Sequence, residues 1–313
     1  MLSNAATATS ARRGCRRILL GTALWGWAVD EREAHALLDT FAAAGGRLVD
    51  AAVNYPINGK PSDFGRANSM IERWLRSRRP DGFKIFCKIG SVDNSGSAET
   101  ALMASNVLLA TELARSRFSD WLFGVGIHWD NREDLAEISE TLSVFKQLSE
   151  EGFVVGFSGV ARPDLYAAAA PELAHRWWIQ VKENAESSEA RARYEPHFPD
   201  ATYIAYKINM GGVKKEEAVT GSSLDLRGIK TPPVAARLRA FLNEPHGLLP
   251  RPQTMNELAL MMSWANPALH GVILGPRNVD QLTQSLVSWD HLNREADAHA
   301  IRRQIQPLLH GAG

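Results

Sequence analysis

The sequence predicts an α/β chain of the (β/α)8 barrel type, with a long loop after the seventh strand and an appended C-terminal helix. Three observations lead there. Eight short runs rich in β-branched and aromatic residues alternate with longer runs of helical periodicity, the rhythm of strands joined by crossover helices. The 313 residues suit a single barrel of about 250 residues with extensions. Polar residues close the second, third and fourth apolar runs, namely Asp50, Lys88 and His128, as happens where barrel strands open on a shared C-terminal rim.

The elements follow in order. Residues 18–21 read as the first strand. Residues 31–44 read as a helix with Asp30 as N-cap and Gly45-Gly46 as its stop. Residues 47–51 form the second strand, and 67–79 a helix ended by Pro80. The third strand spans 83–88 and its helix 97–115; the fourth spans 121–128 and its helix 132–151, closed by Gly152. Residues 153–158 give the fifth strand and 163–174 its helix, with Pro163 suited to the first turn. The sixth strand is 177–181, followed by a short helical segment at 187–196; the seventh is 202–206. Residues 207–253 are irregular and rich in Gly and Pro, with one helical patch at 234–243. A loop of that length inside a barrel is usually functional. A helix at 254–265, the eighth strand at 272–274, a helix at 279–286 and a final helix at 293–309 complete the chain. The competing doubly wound sheet is disfavoured. The turn after strand one, Gly21-Thr22-Ala23-Leu24-Trp25-Gly26, lacks the G-x-G-x-x-G spacing, and no Walker A pattern occurs.

Lys plus Arg and Asp plus Glu are both 35, so the formal net charge is zero. Nothing global draws the chain to nucleic acid or an anionic membrane, and any phosphate site must be local. No apolar stretch reaches bilayer length. Arg12, Arg13, Arg16 and Arg17 before the apolar run 18–29 look superficially like a secretory or twin-arginine signal. That run is needed for strand one, and no clean A-x-A site follows it. Residues 1–17 are therefore read as a flexible basic tail, 18–313 as one domain, and the location as cytoplasmic. Cys15 and Cys87 have no metal or disulfide spacing; Cys87 should face the helices as a small buried thiol. The sequence does not indicate an oligomeric state.

Tyr55 lies five residues after Asp50, in the loop above strand two. A phenol beside an ammonium, with a carboxylate and an imidazole near, makes a proton donor for a carbonyl oxygen. Free tyrosine has a pKa of about 10, and a neighbouring Lys88 ammonium favours the phenolate. Asp50 would hold Lys88 charged, and His128 would donate to the substrate oxygen and orient it. Carbonyl reduction also needs a hydride, which no side chain supplies, so a nicotinamide cofactor is implied. Taken singly, Asp50 reads as a turn cap, Lys88 as a rim charge and His128 as a core histidine. Taken together at one end of adjacent strands, the catalytic reading wins. His128-x-Asp130 also has the look of a metal pair, but the other strand ends lack His and Asp ligands, so no metal is expected. Trp25, Trp27 and Trp129 just past strand ends either wall a substrate pocket or plug the barrel mouth.

The chain resembles the aldo-keto reductases. Asp50-Ala51-Ala52-Val53-Asn54-Tyr55 resembles their D-T-A-x-x-Y signature, with alanine for threonine. Phe86-Cys87-Lys88-Ile89-Gly90 is similar to T-K-x-G, and Gly126-Ile127-His128 to x-I-H. Gly156-Phe157-Ser158-Gly159 is similar to G-x-S-N with glycine for asparagine, and Ile179-Gln180-Val181 to x-Q-x-E-Y-N. The segment from Gly275 through Pro276, Arg277 and Asn278 to Gln281-Leu282 is similar to G-A-R-N-P-E-Q-L. These motifs run in register from 18 to about 288. The resemblance implies Tyr55 as general acid, tuned by Lys88 and Asp50, with His128 orienting the carbonyl. It implies Ser158 and Gln180 on the nicotinamide carboxamide, Tyr206 stacked on its ring with Lys207 beside it, and Gly21 and Thr22 as the strand-one contact. Gly275, Arg277 and Gln281 match the adenosine-phosphate end, where a guanidinium favours NADP(H) over NAD(H). The substrate would be a small molecule bearing a carbonyl or hydroxyl. Three segments depart from the pattern: Gly65-Arg66-Ala67-Asn68 for G-x-S-E, Ile208-Asn209-Met210-Gly211-Gly212 for P-L-G-x-G, and Val181-Lys182-Glu183-Asn184 after Gln180. They leave room for two rivals, a non-catalytic nucleotide-binding regulator and a metal-dependent barrel hydrolase.

Overall fold

The computed structural model describes residues 17–215 and 230–309. Eight parallel strands close into a barrel in chain order: β1 (Arg17–Gly21), β2 (Leu48–Ala52), β3 (Lys84–Ile89), β4 (Leu122–Asp130), β5 (Val154–Val160), β6 (Trp178–Lys182), β7 (Thr202–Tyr206) and β8 (Gly271–Leu274). β8 pairs with β1, which removes both sheet edges. The connecting helices are α1 (Glu31–Ala43), α2 (Arg66–Arg78), α3 (Ala104–Phe118), α4 (Leu135–Glu150), α5 (Pro163–Ala169) and α6 (Glu189–Tyr194), then α7 (Val234–Asn243), α8 (Met255–Ala265) and α9 (Val279–Glu295). A last helix, α10 (Ala298–Leu309), packs on α7 and α8. The tail expected at 1–17 falls, apart from Arg17, outside the described residues. Among the described residues no helix is long and apolar enough to cross a membrane.

Local chemistry accounts for the elements. Helix α1 buries Ala34, Leu37, Leu38 and Phe41, a stripe at the 3.6-residue period. Asp30 caps it by accepting from the Glu33 N–H at 2.9 Å. Thr254 and Glu257 form a reciprocal capping box at the start of α8. Strand β2 is buried on both faces, as expected of a parallel strand lying between barrel interior and helices.

Some boundaries differ from expectation for visible reasons. Helix α3 starts at Ala104 rather than 97, because Thr100 bridges to Ser91 and the Ala101 N–H donates to Gly90 O at 2.8 Å, while Asp93 Oδ1 collects the N–H groups of Ser95, Gly96 and Ser97. Such side-chain to backbone bonds compete with helix formation. Helix α5 stops at Ala169, since Pro171 disfavours helical geometry at Ala170. Strand β4 runs on to Asp130, whose carboxylate is gripped by Arg132 Nη2 at 2.8 Å and the Tyr166 hydroxyl at 2.6 Å. Helix α9 continues to Glu295, with Trp289 and Leu292 buried along it.

The lower interior is filled by one large ring. A Cβ added at Gly124, Gly126 or Gly156 would come within 2.8 Å of the Phe86 side chain. Three neighbouring positions therefore lack side chains where Phe86 occupies the space. Trp178 stacks on Phe86 at 6.0 Å, and Arg17 lies over the Trp178 ring at 5.2 Å. The barrel is shut at this end, and its chemistry lies at the other.

Candidate active site

Strand register sets the site. His128, Ser158 and Gln180 are side by side across β4, β5 and β6, and Gly21 pairs with Asp50 across β1 and β2. Lys88 pairs with Ala52, just above Asp50 on the barrel wall. After β2 the chain turns back: Val53 N–H donates to Lys88 O at 2.9 Å, and Tyr55 N–H to Ala52 O at 3.3 Å. That turn brings Tyr55 over the strand ends it follows.

Asp50 is the hub. Lys88 Nζ donates to its Oδ1 at 2.5 Å, Gln180 Nε2 donates to the same oxygen at 2.6 Å, and the Thr22 hydroxyl donates to its main-chain oxygen at 2.9 Å. Lys88 is 1 % exposed and Asp50 3 %. Burial pulls the Lys88 ammonium below the usual lysine value, while Asp50 opposes that pull. Lys88 Nζ also lies 5.2 Å from the centre of the Tyr55 ring. The Tyr55 ring meets the His128 ring edge-to-face at 5.7 Å. Burial first, and then the Lys88 charge, hold His128 well below the usual imidazole value, so the ring is neutral near pH 7. The structure thus brings all four expected residues, Asp50, Tyr55, Lys88 and His128, to one place.

Tyr55, His128 and Asp50 line a cavity of about 610 Å³. Ser158, Gln180, Tyr206, Lys207, Gly21, Gly275, Arg277 and Gln281 line it as well. Thr22 is fully buried behind the wall and supports Asp50 rather than facing the cavity. Gln180 spends its amide on Asp50, and the Gln281 Oε1 accepts the Arg277 N–H at 3.0 Å. Both expected contacts therefore begin from side chains already engaged. Lys214 and Lys215, not among the expected residues, also line this cavity; the one signal in the sequence is a basic pair following Gly211-Gly212-Val213. A second hollow of about 260 Å³, bordered by Asn131, Lys182 and Arg193, holds none of the expected residues.

Trp129 explains one departure in sequence. Its backbone has φ +60°, strained for a bulky side chain, and its ring stacks on His128 at 4.1 Å. A Cβ at Gly159, itself at φ +76°, would lie 2.6 Å from Trp129 Cδ1. Glycine stands where the expected motif has asparagine because Trp129 fills that volume. Trp129 borders the cavity, whereas Trp25 is fully buried. Among the described residues no group of three or more His, Cys, Asp or Glu is placed to hold a metal. Cys87 is buried as expected of a structural thiol, and burial pushes it up to about 12.

A nicotinamide dinucleotide fits this donor set. The cavity is lined by the proton-bearing Tyr55 and His128 and by the cationic Lys207, Lys214, Lys215 and Arg277, and Asp50, already paired, is the one carboxylate among its described lining residues.

Comparison with known proteins agrees with this architecture. Residues 17–177 match the model of the aldo/keto reductase family. Among solved structures, the aldo-keto reductase AKR11C1 from Bacillus halodurans, in its holo form, superposes with a TM-score of 0.65 at 18% identity, over 95% of this chain and 93% of that one. No curated protein sequence matches significantly.

Proposed function

The chain belongs to the aldo/keto reductase family, and from that premise we propose that it is an NADP(H)-dependent oxidoreductase interconverting a small carbonyl compound and its alcohol. The observation that carries this reading is the buried Lys88–Asp50 pair beside Tyr55 on the wall of a cavity. A bound nicotinamide supplies or accepts the hydride. The chain's own residues handle the proton. The Tyr55 hydroxyl donates to the substrate oxygen, and the Lys88 ammonium stabilises the phenolate that remains. Asp50 holds Lys88 in position and keeps it charged. His128, neutral and pinned between Tyr55 and Trp129, fixes the direction from which the substrate oxygen approaches.

Cofactor binding is assigned to the remaining wall. Ser158, Gln180 and Tyr206, with Gly21 beside them, would hold the nicotinamide end. Gly275, Arg277 and Gln281 would hold the adenosine end. Lys207, Lys214, Lys215 and Arg277 line the cavity, a concentration of positive charge suited to a triphosphorylated dinucleotide. That excess supports NADP(H) over NAD(H). The test is direct: NADPH and NADH are titrated by fluorescence, then aldehydes, ketones and sugars are screened for oxidation of the reduced cofactor. NADPH binding with turnover of at least one carbonyl class is expected; binding of neither nucleotide would refute the proposal.

A further inference from the structure

Asn54, between Val53 and Tyr55, is wholly buried and has two neighbours. Its Nδ2 donates to the Asp93 carbonyl at 3.1 Å. Its Oδ1 lies 3.1 Å from His128 Nδ1. The first bond fixes the amide, since the reversed orientation would set two oxygens against each other. The second then has only one sense. An amide oxygen can only accept, so Nδ1 carries the proton. A neutral imidazole protonated at Nδ1 keeps a lone pair at Nε2, and Nε2 is the nitrogen left for the cavity that His128 lines.

We propose that Asn54 is a positioning residue that locks His128 in its Nδ1–H form, so that Nε2 accepts a hydrogen bond and the site prefers an alcohol to the matching carbonyl compound. This reverses the donor role expected of His128. A carbonyl oxygen set against the Nε2 lone pair is repelled. An alcohol relieves that repulsion, because its O–H donates to Nε2 while its oxygen accepts from Tyr55. The ligand preference rests on the oxidoreductase reading; the tautomer does not.

The experiment uses the full chain labelled with ¹⁵N-histidine and long-range ¹H–¹⁵N spectra. Of the nine histidines, His128 is identified by the signal set missing from His128→Asn. The wild type is expected to show the Nδ1–H pattern. Asn54→Ala should move it toward Nε2–H, and Asn54→Asp, which still offers an acceptor oxygen, should restore it. An Nε2–H wild type, or a tautomer unmoved in Asn54→Ala, overturns the proposal, and the first of these needs no change at Asn54. Benzyl alcohol and benzaldehyde then serve as probes, read from the same signals. The alcohol is expected to bind about fivefold tighter, the scale of one hydrogen bond. That preference should vanish in Asn54→Ala and survive in Asn54→Asp; equal ratios in wild type and Asn54→Ala refute the ligand preference. Lack of turnover beside an Nδ1–H spectrum counts against the reductase reading and for this tautomer. Turnover beside an Nε2–H spectrum does the opposite.

Discussion

Lys88 Nζ stands 2.5 Å from Asp50 Oδ1, and both side chains are almost wholly buried. Removing one member strands the other charge in a closed interior. Lys88→Met is expected to cost about 3–5 kcal/mol, the range for breaking a buried pair. Adding Asp50→Asn to Lys88→Met should recover part of that loss, because no uncompensated carboxylate is left. Urea unfolding of the single and double variants measures the coupling. Strictly additive costs would mean that the two groups do not support each other.

Tyr55→Phe keeps the ring that packs on His128 and removes the proton. Turnover is expected to fall by about 10²–10⁴, the usual share of a general acid, with NADPH affinity unchanged. Single-turnover kinetics beside a fluorescence titration separates the two. Full turnover in this variant would take Tyr55 out of the mechanism.

Stability should decline in mild acid. Burial sets the folded-state value of His128 well below the ordinary 6.5, so on acidification the unfolded chain takes up the proton first. The contribution is whole above about pH 6.5 and is lost progressively as pH falls toward the folded value. His246 and His270 are lowered in the same direction by burial, so the wild-type slope is a sum. His128→Gln should make the change in urea midpoint between about pH 7.5 and 5.5 smaller; an unchanged slope would contradict the assignment.

Restoring the motif asparagine at 159 is expected to harm the protein. The new Cβ meets Trp129, and overpacking of this kind costs about 1–3 kcal/mol. In a Trp129→Ala background the same Gly159→Asn change should cost less, since asparagine itself tolerates the left-handed backbone. Thermal melts of the four proteins give the interaction directly, and equal costs in both backgrounds would disprove the volume argument.

Arg277→Gln tests the cofactor assignment. If the guanidinium meets a 2′-phosphate, NADPH affinity should drop about tenfold or more, and NADH affinity far less. Equal losses for the two nucleotides would place Arg277 on a part they share.

The barrel and its rim were legible because buried parallel strands read as apolar runs, and a polar residue ending such a run is conspicuous. Asp50, Lys88 and His128 announced themselves that way. Asn54 did not. It sits past the strand end, in a loop, and its partners, Asp93 and His128, are 39 and 74 positions away, a separation that no local pattern encodes. Trp129 was visible as an aromatic past a strand end, but its inverted backbone and its claim on the space above Gly159 are tertiary facts. The late start of α3 was hidden for a related reason: the Ser91–Thr100 bridge and the Ala101 bond to Gly90 hold residues that periodicity alone would give to a helix.

Phe86 and Trp178 stopper the floor of the barrel, so cofactor and substrate, on the proposed reading, both enter from the opposite rim. Whichever molecule settles deeper must arrive first and depart last. On the proposed reading this predicts a compulsory order of binding and release, with a pace that the last departure can set as readily as the bond-making step; product-inhibition patterns that fit random binding would contradict it.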